Sequence, residues 1–417
     1  MQRRSDQVRQ VATSVRARLA ERRQPWCAPP PEPGATRVAV VGGGPAGLAA
    51  AVMLRNEGHQ AVVFDRSHRL GGSWPTRYDA LRLNTVRWMS DLPGLRASSP
   101  DRWLTRDQMT LYLESYVEWH GLEVHLGVGV SHIEPSADGR WRCRLTEAPP
   151  DSASEAGPGS HLIENFHTGE AEWDALVVAT GASVTNTMPD WPGVSEFAGT
   201  LLHSGDYRSA DRLPPGTVLV VGAGSSGAEI ASDLAHHGRQ VIWSVRTAPG
   251  LAPREIRSIP VTPLGVPADL MPGRLVDAAM SRLERAAYGA RDYLPAASAT
   301  VTQLMRRYKE PLTADDIVAQ IRSGEVRVVG AVRDLHPHGA VVDDGELADA
   351  EVVIAATGHR TGLGELVGHL DVLDELERPI SAVPRPRLGF IGFRVPLTGT
   401  LWAIDLDARD LATDLLA

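Results

Sequence analysis

Two glycine turns, each set between a buried strand and a helix, constrain this chain more than any other feature. Residues 37–41 (RVAVV) form a short apolar strand that runs into Gly42-Gly-Gly-Pro-Ala-Gly47. The helical stretch LAAAVMLRNEGH follows and ends at Gly58, and HQAVVFD (59–65) is a second strand. Strand, tight turn, helix, strand is how a parallel sheet opens. The unit returns 180 residues later as TVLVV (217–221), Gly222-Ala-Gly-Ser-Ser-Gly227, AEIASDLAHHG and RQVIWSV. That offset is too long for a repeat array and suits two separate folds of one kind. The expected class is α/β, with two Rossmann-like dinucleotide-binding domains.

The residue types in the turns carry the chemistry. Gly42 permits the tight turn, Gly44 lets a pyrophosphate approach the backbone, and Gly47 lets the helix pack on the sheet. Pro45 and Ala46 open that helix, whose unpaired N–H groups and partial positive charge face the phosphates. Asp65 lies 23 residues after Gly42, where an acid accepts hydrogen bonds from a ribose, and Arg66 follows it. Gly222, Gly224, Ser225, Ser226 and Gly227 repeat the cradle. The strand after it ends at Ser244 and Arg246 with no acid. An arginine there pairs with a 2′-phosphate, which favours NADPH over NADH. Two nucleotide sites of different preference imply a flavoprotein, with FAD on the first, NADPH on the second and hydride passing between them. ALVVATG (175–181) and VVIAATG (352–358) are further buried strands ending in Ala-Thr-Gly. They add Ala179, Thr180, Gly181, Thr357 and Gly358 to the cofactor-binding candidates, together with Val130.

Composition excludes several classes. At 417 residues the chain can bury a full core without disulfides or metals. A net charge of −9 disfavours nucleic acid as a partner. The two cysteines, Cys27 and Cys143, are far apart, which excludes a redox pair and a cysteine-based metal site and fits a cytoplasmic protein. No run approaches 18 apolar residues, so no transmembrane segment is expected, and the N-terminus lacks the apolar core of a secretory signal. Residues 1–24 are arginine-rich and helix-compatible. Their thin stripe of Val8, Val11, Val15 and Leu19 suits docking on the protein's own body, on a partner or on anionic lipid. A stiff proline-rich linker (25–36) follows. The expected domains are 1–36 as extension and linker, 37–210 for FAD, 211–330 for NADPH and 331–417 returning to the FAD domain. Residues 145–172 read as an irregular hairpin excursion, and 399–417 as a helix beginning near Thr400. A homodimer is compatible with all of this.

Further segments carry a family resemblance. Gly71-Gly72-Ser73-Trp74 resembles the G-G-x-W of flavin monooxygenases, and Tyr78-Asp-Ala-Leu-Arg-Leu-Asn84 resembles the stretch after it. Phe197 to Tyr207, with Gly199 and His203, matches the fingerprint F-x-G-x-x-x-H-x-x-x-[FY]. Ala252-Pro-Arg-Glu-Ile256 resembles the L-P-R-E-I of plant YUCCA-type enzymes, which act on indole pyruvate. Ala356-Thr-Gly358 resembles A-T-G-Y, and Gly392-Phe393 and Asp407-Ala408 resemble C-terminal pairs. The chain is identified as a member of the class B flavin-dependent monooxygenases, on the flavin-containing monooxygenase and YUCCA-like side.

That resemblance implies a cycle in which NADPH reduces FAD and reduced flavin reacts with O2 to give a C4a-hydroperoxide. One oxygen atom then passes to a small organic substrate, at nitrogen or sulfur or on a keto acid. It places Asn84 at the flavin edge or the NADP⁺, with Gly72, Ser73 and Trp74 at the cofactor. It puts His203 and Tyr207 in the catalytic neighbourhood, where the fingerprint shapes the joint between domains and His203 is no general base. Thr400 heads a helix whose N-terminus aims at the flavin pyrimidine. Departures from the pattern weigh against a dedicated Baeyer–Villiger enzyme (Tyr207-Arg208) and put indole pyruvate in doubt (Gly250, His359). Residues 257–324, with a helix near 273–289 bearing Met280 and Tyr288, are expected to govern substrate choice as a lid or as an ordinary packed helix. The alternatives are an NADPH:acceptor reductase or oxidase without oxygen insertion, and a non-enzymatic redox-responsive protein.

Overall fold

The computed structural model describes residues 24–149, 168–268, 271–290, 292–295, 299–313, 315–343 and 345–417. The expected helix at 1–24, apart from its last residue, and the tip of the 145–172 excursion lie outside the described residues.

The first sheet is parallel throughout. Its strands run in the order Leu388–Phe390, Ala175–Val178, Arg37–Val41, Gln60–Asp65, Glu123–Leu126. Val38, Ala39 and Val40 are fully buried, as strands covered on both faces must be. The helices Pro45–Asn56, Arg106–His120 and Thr400–Asp414 pack into one core on one face. On the other lies an antiparallel sheet of Val128–Pro135, Trp141–Glu147 and Gly169–Trp173, which buries Ile133, Trp141 and Trp173. The excursion is therefore a paired hairpin at its base.

The second sheet has the same plan. Its order is Val326–Val329, Val241–Ser244, Val218–Val221, Val352–Ala355, Thr200–His203, again all parallel. The helices Ser225–His236 and Asp315–Ser323 lie against it, and a meander of Val332–His336, Gly339–Val342 and Leu347–Asp349 joins a second apolar cluster of the same domain. This corrects the expected span of 211–330. Thr200–His203 and the segment 332–355 belong to the second domain, because non-local strand pairing completes the sheet on both sides of its glycine unit.

The proline-rich stretch is strapped to the first domain at its start. Trp26 N–H donates to Gly94 O at 3.0 Å, and Ala28 N–H donates to His120 Nδ1 at 3.1 Å. The Arg55 guanidinium donates to the carbonyls of Ala28 and Pro29.

Candidate active site

The two turns share one geometry. Gly42 and Gly222 have φ of 116° and 130°, a region that side-chain-bearing residues rarely adopt. A Cβ at Gly42 would lie 2.4 Å from Ala179 O, and one at Gly222 would lie 2.1 Å from Ala356 O. Each turn thus rests on the Ala-Thr-Gly end of the neighbouring strand, which explains why that tripeptide recurs. At Gly47 and Gly227 the helix presses on the turn itself, and an added Cβ would lie 1.9 and 2.0 Å from the carbonyl oxygens of Gly42 and Gly222. In front of Gly44 and Gly224 there is open space, and neither helix has a side-chain cap. Two helix N-termini with uncapped N–H groups opening on free space fit two diphosphates.

Around the first turn, Asp65 is buried and its carboxylate accepts from Gly43 N–H at 2.5 Å and Ser67 N–H at 2.7 Å. It braces the turn. A Cβ on Gly72 would lie 3.1 Å from Gly44 Cα, so the G-G-S-W turn lies over the cradle, with Ser73 exposed and Trp74 packed on the first core. Arg66 donates to Val184 O at 3.1 Å and lies against Gly129, next to Val130. The hydroxyl of Thr180 is buried and has no hydrogen-bond partner among the described residues.

Several hydroxyls expected at the coenzyme are committed elsewhere. Ser244 is buried and donates to Gly330 O at 2.7 Å, so its side chain faces the interior while Arg246 stays exposed. Thr357 donates to Thr187 O at 2.5 Å, and Thr400 donates to Glu310 Oε1 at 3.1 Å. His203 and Tyr207, expected in the catalytic neighbourhood, are engaged with the protein itself. His203 Nδ1 accepts from Gly205 N–H and its Nε2 bonds the carbonyl of Gly358, both at 3.0 Å, so neither ring nitrogen is left for a reacting group. Burial also pushes its pKa down and favours the neutral ring. Tyr207 is buried, its hydroxyl donates to Asp233 Oδ2 at 2.5 Å, and burial raises its pKa.

The joint between the domains is built around Asn84. Asp79 N–H donates to Arg208 O at 2.8 Å, and Tyr78 enters the second domain's core 6.2 Å from the Tyr207 ring. The Tyr78 hydroxyl donates to Glu229, on the helix of the second turn. Asn84 hydrogen-bonds Glu229 as well, and its Oδ1 accepts from Arg254 Nη2 at 3.2 Å. Burial raises the Glu229 carboxyl to about 7 against the pull of these partners. The sequence reading missed Glu229. Its only local signal is an acid two residues after Gly227, in the first turn and a half of the helix.

A pocket of about 260 Å³ adjoins this joint. Asn84, Gly399 and Glu310 border it, and Val276, Met280 and Leu397 supply part of its apolar wall. Helix Gly273–Tyr288 therefore does line the pocket, whereas Tyr288 packs into the second core instead. Ala252 and Pro253 also line it, so the A-P-R-E-I segment contributes both wall and, through Arg254, the hold on Asn84. No local signal marked Glu310.

Comparison with known proteins agrees with this geometry. The family described as flavin-binding monooxygenase-like matches residues 150–366, and an NAD(P)-binding Rossmann-like domain matches residues 40–106. The chain belongs to the flavin-binding monooxygenase-like family. This monooxygenase is 31% identical over 354 residues to indole-3-pyruvate monooxygenase YUCCA1 of Oryza sativa subsp. japonica, covering 82% of this chain and 79% of that protein. It is 30% identical over 388 residues to the probable indole-3-pyruvate monooxygenase YUCCA3 of Arabidopsis thaliana, covering 90% and 85%. Its fold is similar to that of the flavin-containing monooxygenase from Stenotrophomonas maltophilia, with a TM-score of 0.63 and 21% identity over 91% of this chain and 98% of the other. The monooxygenase is an oxidoreductase, and its cofactors are FAD and NADPH. Among the described residues no helix is long and apolar enough to cross a membrane.

Proposed function

We propose that the first glycine turn holds FAD, the second holds NADPH, and a small organic substrate is oxygenated in the pocket beside Asn84. The observation that carries this reading is the joint. Asn84 borders the pocket and is tied through Glu229 to the helix that opens on the second turn. One oxygen atom of O2 goes to the substrate, the other leaves as water, and NADPH supplies the two electrons. The bound flavin supplies the activation of O2.

The chain's own residues bind, orient and exclude water. Asp65 holds the first turn in shape. Arg254 and Glu229 grip the Asn84 amide from two sides and so fix which way its donor and acceptor point. Helix Thr400–Asp414 starts at Gly399 on the pocket wall with no side-chain cap, and its N–H groups suit the negative charge of a reduced flavin ring. Exposed Arg246 is placed to meet a 2′-phosphate. His203 and Tyr207 are positioning residues. They anchor the Ala-Thr-Gly loop and the helix of the second turn. The relatives' names point to indole-3-pyruvate. Amines, sulfides and keto acids are the substrate classes to screen.

The test is a purified protein examined for bound FAD and for NADPH oxidation in the presence of such compounds. Oxygenation predicts substrate-stimulated NADPH consumption, a product 16 mass units heavier and little H2O2. Stoichiometric H2O2 with every compound, and no oxygenated product, would identify an oxidase instead.

A further inference from the structure

We propose that residues 1–23 dock along the outer face of helix Arg106–His120, laying their stripe of Val8, Val11, Val15 and Leu19 on Leu111 and Trp119. This contact is independent of the oxygenation reading above. Helix Arg106–His120 buries Met109, Leu113 and Tyr116 in the first core. Its other side carries two large apolar side chains, Leu111 and Trp119, which are 61% and 46% exposed. Ser115 and Glu118 are exposed with them, and positions 111, 115, 118 and 119 share one helical face. Large apolar side chains aligned on one exposed face suit a contact surface.

The chain delivers its own occupant to this face. Trp119 Nε1 donates to Trp26 O at 3.1 Å, Cys27 Sγ donates to Trp119 O at 3.0 Å, and Ala28 N–H donates to His120 Nδ1 at 3.1 Å. Residues 1–23 lie outside the described residues, and they join the chain at the Trp119 end of the helix. Val11 stands eight residues before Leu19, as Leu111 stands eight before Trp119. Eight helical residues span about 12 Å, so a helix running parallel to Arg106–His120 sets Leu19 on Trp119 and Val11 on Leu111 at once. Charge agrees with that direction. Residues 1–23 hold seven arginines against Asp6 and Glu21. Arg9, Arg16 and Arg23 recur by seven along one flank of the stripe, and Asp107 and Glu114 recur by seven along a flank of the exposed face, with Glu118 one turn further. In a parallel pair these two flanks lie against each other, as oppositely charged flanking rows do in a coiled coil.

The experiment uses the full chain loaded with FAD. Cross-linking is done in the Cys27→Ser background, where the remaining Cys143 is buried. Val11→Cys paired with Leu111→Cys should close an intramolecular disulfide at least tenfold faster than Thr13→Cys paired with Leu111→Cys, because Thr13 stands opposite the stripe on the helix. Deuterium exchange read by mass spectrometry should show residues 8–19 of the unaltered chain slowed at least tenfold relative to free peptide. Leu111→Arg, at an exposed position that keeps the flavin content of the wild type, should abolish that protection, and Glu118→Arg should weaken it. Both measurements are repeated at a tenfold higher protein concentration and with phosphatidylglycerol vesicles. Equal closure rates for the two pairs, or exchange that is fast throughout or unchanged by Leu111→Arg, would overturn the proposal. So would disulfides that join separate chains and rise with concentration, which would seat a second copy on this face, or protection that arises only with vesicles, which would turn the stripe toward lipid.

Discussion

Tyr78 and Glu229 stand 151 residues apart in the chain, and the phenol of the first donates a hydrogen bond to the carboxylate of the second. One belongs to the stretch that follows the first glycine unit, the other to the helix that opens on the second turn. Their bond ties together the two halves that must cooperate in passing electrons.

The buried Glu229 carboxyl has a pH signature. Burial raises the Glu229 carboxyl to about 7, above its ordinary value of 4.5. The folded chain therefore binds this proton more tightly than the unfolded chain does. The contribution is fully present below the unfolded value and is lost as pH rises through about 7. Glu229→Gln should remove about 1–3 kcal/mol of the wild-type decline in stability across that window. Urea midpoints at pH 5 and pH 8 with saturating FAD provide the check. A variant with the wild-type slope would show that another group titrates.

The two turns should fail separately. At Gly42 and Gly222 an added methyl meets a backbone carbonyl that cannot move aside, and φ is already unfavourable for alanine. Gly42→Ala should yield nearly colourless protein. Gly222→Ala should stay yellow while flavin reduction by NADPH slows at least a hundredfold. Absorbance near the flavin band and stopped-flow reduction separate the two outcomes. The opposite pattern would reverse the assignment of the cofactors.

In the proposed function, exposed Arg246 carries the choice of coenzyme. Arg246→Ala should raise the KM for NADPH tenfold or more and leave that for NADH within about twofold, in line with the loss of a charge-assisted pair. Equal effects on both coenzymes would remove Arg246 from this role.

Asn84 should govern coupling rather than reduction. Asn84→Ala leaves Arg254 and Glu229 without their shared amide. NADPH oxidation should persist while H2O2 release rises several-fold at the expense of product. Peroxide and product are measured together, and a fully coupled variant would refute the assignment.

His203 should matter for stability and not for proton transfer. Its replacement by alanine leaves the Gly205 N–H unpaired and leaves the Gly358 carbonyl with Thr187 N–H alone, at a cost of about 1–3 kcal/mol. The shape of the kcat–pH profile should stay as in the wild type. A missing limb in the variant's profile would return His203 to the chemistry.

Local pattern determined a good deal of this protein. The glycine turns, the strands and helices around them and the C-terminal helix were all legible, because a run such as RVAVV followed by G-x-G-x-x-G has few ways to bury its apolar residues and satisfy its backbone. The family resemblance was legible for the same reason: its motifs are short and contiguous. The tertiary structure alone decided the rest. Sheet pairing drew Thr200–His203 and Val352–Ala355 into the second domain, across more than a hundred residues of intervening chain. The side chains that meet at the joint, Tyr78, Asn84, Glu229 and Arg254, come from three separate segments, and Glu310 reaches the pocket from a fourth. Whether a hydroxyl such as that of Ser244 faces a ligand or the interior depends on a neighbour 86 residues away. Periodicity and spacing report which residues share a face of one element. Charge, burial and hydrogen-bond commitment arise only when distant elements pack.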